Sequence, residues 1–282
     1  MAIKLVVDSA SDISLEEANK LNITLLPFEV RFKEEVYFDG VDLLPNQFYE
    51  KLIENDELPK TSLIIPYRFE ETFEKLVNED DQVLCICISS KLSGTYNNAL
   101  QASKNYKGKV FVIDSLNVAM GERLLIEYAL RLINENKSIE EIVSLLNEKK
   151  SKINVIAMLD TLKYLKKGGR ISPLVAFSGE LLSIKPVIGV INGEVKLVGK
   201  ARGSKNRNNL LNKLIENKGG VDFSMPYAVG YSGFSREILD KYIKDSYHLW
   251  QNEADKIPAY QIGCTIGTHI GPNVIGLAFF EK

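Results

Sequence analysis

Histidine and cysteine are scarce in this chain of 282 residues, and the scarcity closes off whole classes of chemistry. The three cysteines, Cys85, Cys87 and Cys264, form no zinc-like pairs and sit in apolar runs, which marks them as buried free thiols of a reducing compartment. The two histidines, His248 and His269, stand apart from each other and from any paired cysteines, so no metal signature is present. No run of about twenty apolar residues exists to cross a membrane. The opening "MAIKLVVDS" has no long apolar stretch leading to a small-residue cleavage site, so no signal peptide is read there. An excess of one charge is also missing: 35 basic against 37 acidic residues leave a formal charge of −2 and no nucleic-acid footprint. "KLSGT" lacks the first glycine of a G-x-S-x-G nucleophile elbow, and no Lys-Ser/Thr pair follows a glycine at Walker-loop spacing. A soluble, cytoplasmic protein without a self-evident catalytic constellation is expected.

What is there is a chain with 45% hydrophobic and 26% charged residues, long enough for one large or two ordinary domains. "IKLVVDSASD" reads as a buried strand over Ile3–Val7 that ends in a polar turn. "ITLLPFEVRF" and "EEVYFDG" are strands, and "NQFYEKLIEN" is a helix with Phe48, Leu52 and Ile53 at helical spacing. "KTSLIIP" is a loop feeding a helix with Pro66 in its first turn. "QVLCICISS" has the near-continuous apolar pattern of a strand buried on both faces of a parallel sheet. A helix at "NNALQASKNY", a strand at "KVFVIDS" and an amphipathic helix at "GERLLIEYALRLINEN" follow. This alternation predicts an α/β/α domain with a parallel sheet over residues 1–150.

From 151 to 282 the pattern changes. "NVIAMLD" is a strand and "TLKYLKK" a short helix, and Asn192-Gly193 between two alternating runs signals a hairpin. A helix from Lys205 to Asn217, a strand at "YAVGYSG", a helix from Ser235 to Trp250, and strands at "AYQIGC" and "VIGLAFF" complete an α+β domain with a mixed sheet. No linker separates the two parts, so a substantial shared interface is expected.

Three apolar strands run directly into small polar groups, at "VVDSASD", "CICISSKLSGT" and "FVIDSLN". The crevice beyond the carboxyl ends of parallel strands is where such sheets bind ligands. Ser93, Gly94 and Thr95 stand between a strand and a helix, where hydroxyls and helix-start amides favour an anion; an ordinary capped helix accounts for the same residues. Thr61 and Ser62 form a second hydroxyl pair before a helix. Leu159, Leu162 and Leu165 share one helix face, and Gly168-Gly169 end that helix in a left-handed cap that fixes Arg170 beyond it. Lys166 and Lys167 suit the helix dipole, but the dipole does not call for a double glycine followed by arginine. His248 reads as a surface residue. His269, between Gly267 and Gly271, reads as part of a glycine-rich loop.

In chain order, "VVDSASD", "TSLIIP", "SSKLSGTYNNA", "IDSLNVAMGE", "LKYLKKGGRI", "LLSIKPVI" and "IGTHIGPNVIG" resemble the DegV family over essentially the whole chain. The resemblance implies two domains and a tunnel that binds a long-chain fatty acid with its carboxylate at the domain junction. It further implies a role like that of the fatty-acid-binding (FakB-type) subunits, which present the acid to a separate fatty acid kinase with a dihydroxyacetone-kinase-like domain. That kinase makes an acyl phosphate for phospholipid synthesis, and the binding subunit itself needs no cofactor or metal. The resemblance places Thr61, Ser93 and His269 at the carboxylate, with Ser62, Gly94 and Thr95 beside them, and gives Arg170 and Arg202 to the kinase encounter. Leu63, Ile64 and Ile65 depart from the family's usual Gln-Pro-Ser, which puts the shape of the head-group loop in question. Asn273 replaces a common glycine. The main competing reading is an acyl hydrolase or acyltransferase with Ser93 as nucleophile, His269 as base, and Asp8 or Asp114 orienting the histidine. A small-molecule or sugar-phosphate sensor on the same crevice is a third.

Overall fold

The computed structural model describes residues 2–77, 81–172, 184–202, 204–250, 254 and 256–282. The chain begins with strand β1 (Ile3–Asp8), helix α1 (Leu15–Lys20) and strand β2 (Ile23–Leu26). Two short strands, β3 (Glu29–Phe32) and β4 (Glu35–Phe38), precede helix α2 (Pro45–Glu54) and strand β5 (Lys60–Ser62). Helix α3 (Pro66–Leu76), with Pro66 in its first turn, leads to β6 (Gln82–Cys87), α4 (Thr95–Ser103) and β7 (Val110–Asp114). Helices α5 (Met120–Asn134) and α6 (Ile139–Lys149) follow. The first six elements of the second part are β8 (Ile153–Met158), α7 (Lys163–Lys167), β9 (Ile184–Ile191), β10 (Glu194–Arg202), α8 (Ser204–Glu216) and β11 (Tyr227–Tyr231). Helix α9 (Glu237–Asp245), β12 (Ala259–Gln261), α10 (Cys264–Ile270) and β13 (Ile275–Phe280) end it. Among the described residues, no helix is long and apolar enough to cross a membrane.

The first sheet has four parallel strands in the order β2-β1-β6-β7. Side chains alternate across it, as a pleated strand requires. Val6, Cys85 and Cys87 meet Phe69 and Phe73 of α3 and Ala99 and Ala102 of α4 on one face. Leu5, Val7, Leu84 and Ile86 meet Ala18 of α1, Leu124 of α5 and Ile142 of α6 on the other. That is the α/β/α domain the sequence predicts. Cys85, Cys87 and Cys264 are buried free thiols.

The second sheet is mixed, with six strands in the order β10-β9-β8-β13-β11-β12, and only the β11–β12 pair is parallel. Asn192 and Gly193 join β9 to β10 with φ of +52° and +82°, the two left-handed residues of a tight hairpin turn. The outer face of this sheet packs Ile156, Val229 and Leu277 against Leu211 of α8, Leu239 of α9 and Trp250. Its inner face turns Val155, Ala228, Ala278 and Phe280 onto α5. A third sheet, antiparallel and ordered β4-β3-β5, lies apart from both. The strand patterns were readable, but nothing in them said that β3 would leave the main sheet.

Helix α5 is therefore shared. Its N-terminal half, Met120–Ile126, is buried on every side rather than amphipathic, because it lies between the two sheets. Arg123, 1% exposed, clamps the junction. Its guanidinium lies 3.4 Å from the Tyr260 ring centroid, pairs with Glu17 and Glu127, and donates to the Asp12 carbonyl.

Beneath it, Asp8, Asp12, Asp39 and Glu122 gather at the end of β1. Burial raises Asp8 from 3.8 to about 7 and Asp12 from 3.8 to about 8, with Asp39 adding repulsion; burial also pushes Glu122 well up. The folded state then holds protons that the unfolded chain releases near 3.8. Stability from these groups is fully present below that value and is lost as pH rises through 7 to 8. The melting temperature is expected to fall between about pH 4 and 8, and to fall less in Asp12→Asn, which keeps the oxygen accepting from Gly263 but cannot ionise. Parallel slopes for the two proteins in calorimetry across that range would remove Asp12 from the effect.

Candidate functional site

Helix α10 is where the structure departs most from the sequence reading: His269 sits on this seven-residue helix, not in a loop. The helix has no cap of its own at Gly263. Instead the Gly263 N–H donates to Asp12 Oδ1 (2.9 Å), and the Cys264 and Thr265 N–H groups donate to Asp39 Oδ1 (3.0 Å) and Oδ2 (3.1 Å). Both carboxyls come from the first part of the chain, so no local pattern around His269 could reveal the helix. Gly267 serves close approach within it: a Cβ there would lie 2.6 Å from Phe48 Cε1 and 2.8 Å from the Tyr49 hydroxyl. Gly271, at φ +75°, ends the helix.

One face of this segment, Ile262, Thr265, Ile266, His269 and Ile270, lines a largely apolar cavity. Phe28, Leu63 and Ile88 add further wall from the first part of the chain, and Ile188 and Val195 from the second sheet. The lining is apolar except for Thr61, Ser93, Thr265, Arg170 and His269. Thr61 Oγ1 lies 2.9 Å from His269 Nε2. Arg170 is held next to Ser93 by its Nε–H to the Leu92 carbonyl (3.3 Å) and folds back onto the Gly168 carbonyl (2.6 Å). Burial, together with the nearby Arg170 charge, lowers the His269 pKa from 6.5 to about 4, so the imidazole is neutral at physiological pH.

Four candidate residues are thus brought together: Thr61, Ser93, Arg170 and His269. Arg170, which the resemblance gives to the kinase encounter, lines the cavity and also an open cleft that shares Thr61 and His269 with it. Lys60, Lys167 and Tyr164 line that cleft, with Asp56 and Glu57. Ser62 does not reach the cavity. It follows Thr61 on β5, and successive side chains of a strand point to opposite faces, so Ser62 is exposed. Gly94 and Thr95 act behind Ser93: the Thr95 hydroxyl lies 2.9 Å from Ser93 Oγ and accepts from the Ile64 N–H, and Gly94 lets Leu63 pack 3.0 Å from where a Cβ would stand. Asn98 donates to the Ile64 carbonyl (2.9 Å). The Leu63-Ile64-Ile65 loop is therefore pinned to the start of α4. Arg202 is exposed at the end of β10 and lines no described cavity, and His248 is exposed on a short turn after α9. Asn273 takes φ +61°.

Of the three polar strand ends, only the one carrying Ser93 puts polar side chains into the cavity. Asp8 accepts from the Ala10 and Ile88 N–H groups, and Asp114 from those of Ser90 and Leu116, so both are tied up in holding the loops. The hydrolase geometry is consequently not assembled. Ser93 bonds Thr95 rather than His269, and among the described residues no carboxylate orients the imidazole, whose Nδ1 is buried without a partner. No cluster of three or more metal-ligating side chains occurs among the described residues.

The double glycine has two separate duties. Gly169, at φ +70°, closes α7 as the left-handed residue of a Schellman turn in which the Arg170 N–H reaches the Leu165 carbonyl (3.1 Å). Gly168 makes room for the histidine: a Cβ there would stand 2.3 Å from His269 Nδ1. Gly168→Ala is expected to cost about 1–3 kcal/mol by overpacking and to shift the His269 imidazole resonances in NMR. Gly169→Ala, with nothing within 4 Å of its Cβ, should cost stability by backbone strain and leave those resonances in place. Unmoved resonances in Gly168→Ala would show that the glycine is not there for the ring.

The chain matches the family model for DegV, described as an uncharacterised protein of the DegV family, over residues 2–282. It is 34% identical over 281 residues to a DegV domain-containing protein of Caldanaerobacter subterraneus subsp. tengcongensis, covering 99% of each chain. A DegV domain-containing protein of Staphylococcus aureus is 33% identical over 281 residues, covering 99% of this chain and 98% of that one. Among solved structures, a fatty-acid-binding DegV family protein from Thermus thermophilus superposes with a TM-score of 0.87 at 28% identity, over 100% of both chains. A stearic-acid-binding protein from Eubacterium ventriosum gives 0.85 at 29% identity, over 100% of this chain and 99% of that one. DegV from Bacillus subtilis, a fatty acid binding protein, gives 0.82 at 29% identity over 100% of both chains. Matched from end to end in sequence and in the paired sheets around α5, the chain belongs to the DegV family.

Proposed function

We propose that this protein binds a long-chain fatty acid in the cavity beside α10 and presents its carboxylate to a fatty acid kinase, in the cytoplasm, for conversion to an acyl phosphate that feeds phospholipid synthesis. The observation that carries the reading is the cavity itself: its walls are apolar apart from Thr265, with Thr61, Ser93, Arg170 and His269 gathered at one end. Burying an acyl chain contributes about 0.8 kcal/mol per methylene, so the apolar walls supply most of the affinity. The polar end then fixes orientation. With Nδ1 unpartnered, the proton on the neutral imidazole belongs on Nε2, which donates to Thr61 Oγ1 and leaves the Thr61 hydroxyl proton for a carboxylate oxygen. The Ser93 hydroxyl and the Arg170 guanidinium offer further donors.

The shared rim at Thr61, Arg170 and His269 would put that carboxylate between the cavity and the open cleft, where a phosphoryl donor held by the kinase has room to approach. Such a transfer needs positioning and charge stabilisation rather than a protein nucleophile. The similarity to solved fatty-acid-binding DegV proteins supports the lipid; the kinase partnership rests on the cleft and the family resemblance.

Native mass spectrometry of the purified protein is expected to show one fatty acid per chain. An empty protein that hydrolyses acyl esters unaided would overturn the carrier reading. Ser93→Ala and Thr61→Ala should each weaken binding more than about tenfold, the value of one hydrogen bond to a charged group at roughly 1.5–3 kcal/mol. Unchanged affinity in both variants would take the hydroxyls out of the site.

Arg202, exposed and away from the cavity, provides the separate test of the partner. Arg202→Glu should leave fatty-acid affinity as it is, slow acyl-phosphate formation by the kinase and flatten its dependence on salt. Normal turnover with an unchanged salt slope would exclude Arg202 from the encounter.

A further inference from the structure

The cavity-lining face of α10 contains one residue that the carboxylate site does not explain. Ile266 and Ile270, with Ile262 just before the helix, are apolar wall, and His269 belongs to the head group. Thr265 is 3% exposed, lines the same cavity, and its Oγ1 is buried without a hydrogen-bond partner. Its neighbour Thr268 shows the usual solution, donating to the Cys264 carbonyl at 2.9 Å. A buried hydroxyl left unpaired is destabilising, and valine would fill the same shape without that penalty. A resident water is no remedy, since it needs two to four polar partners. The other polar lining groups, Thr61, Ser93, Arg170 and His269, are gathered at the head-group end.

We propose that Thr265 is a second recognition point, which hydrogen-bonds an oxygen carried on the acyl chain and so selects a hydroxy or keto fatty acid. The inference rests on the reading that the cavity holds a fatty acid with its carboxylate at His269. Thr265 lies four residues before His269 on the same helix face, one turn or about 6 Å along the axis, and unlike His269 it does not line the open cleft. An extended chain of carbon–carbon bonds of about 1.5 Å, laid in zigzag, covers that distance in roughly five bonds. The oxygen therefore belongs near the fifth or sixth carbon. A hydroxyl borne elsewhere on the chain would be buried against isoleucine and valine and lose its own hydrogen bonds.

The test is competition binding of octadecanoic acid and of hydroxyoctadecanoic acids substituted near the carboxylate, near the fifth or sixth carbon, and near the middle of the chain. The wild type is expected to prefer the fifth- or sixth-carbon isomer over the other hydroxy acids by about tenfold or more. Thr265→Val should abolish that preference and bind unsubstituted octadecanoic acid more tightly than the wild type does. Thr265→Ser, which keeps the hydroxyl, should retain the preference. The same ranking of isomers in wild type and Thr265→Val, with plain acid bound equally by both, overturns the inference and leaves the fatty-acid site intact. Failure of every one of these acids to bind either protein overturns the fatty-acid reading, and this inference falls with it.

Discussion

Three backbone amides at the start of α10 are satisfied by two carboxyl groups more than two hundred residues away in sequence, and the position of His269 depends on them. A helix of seven residues has too few internal hydrogen bonds to hold itself, because its first amides and last carbonyls are unpaired by construction. Asp12 and Asp39 supply what the sequence at Gly263 does not. Asp39 is itself fixed by the Ser9 hydroxyl (3.1 Å) and by its own N–H to the Phe28 carbonyl (3.0 Å). Ser9 in turn accepts from the Phe28 N–H (3.0 Å). A rigid run from the end of β1 through the Phe28 turn to α10 therefore carries the geometry of the first sheet into the second part of the chain.

That placement sets the electrostatics of the polar end. A histidine brought in on a buried helix is desolvated, and a cation is already present in Arg170, so the ring stays neutral and acts as a hydrogen-bond donor. One permanent charge with hydroxyl and imidazole donors suits an anion entering an apolar cavity better than two cations would. With two, the empty site would carry the cost of keeping like charges buried together. Arg170 avoids most of that cost by staying half-buried, tied to the Leu92 and Gly168 carbonyls, with its other side toward the open cleft.

Much of this was legible in the sequence where the cause is local. The apolar strands at Ile3–Val7 and in "QVLCICISS", the Asn192-Gly193 turn and the Gly169 cap each follow from residues that act on their own neighbours. Helix α6 was not among the elements read from the sequence, yet it has a local signal that could have found it, the capping box between Ser138 and Glu141. What was not legible depends on partners distant in the chain. The burial of α5 on both sides, the helical state of Cys264–Ile270 and the place of Arg170 in the cavity wall all require knowing what lies opposite. Ser62 failed for a simpler reason. A hydroxyl pair in a loop can converge, but the same pair in a strand cannot, and Thr61-Ser62 pairs with Glu29 and Val30 of β3.

The location of the cavity follows from the same constraint. Its walls come from both parts of the chain, and α5 and α10, which each contact both, border it through Met120 and His269. A ligand filling that space touches the first sheet's loops at Ser93 and the second sheet at Ile188 and Val195 at once, so occupancy and the docking of the two parts are thermodynamically linked. Whatever binds only the docked state stabilises it by RT ln(1 + [L]/Kd), about 2.7 kcal/mol at a hundredfold excess over Kd. An apolar cavity at a junction is a weak point when empty and a strong one when filled. The Arg123 clamp and the capped α10, which hold the junction without any ligand, are what allow this chain to keep such a cavity open.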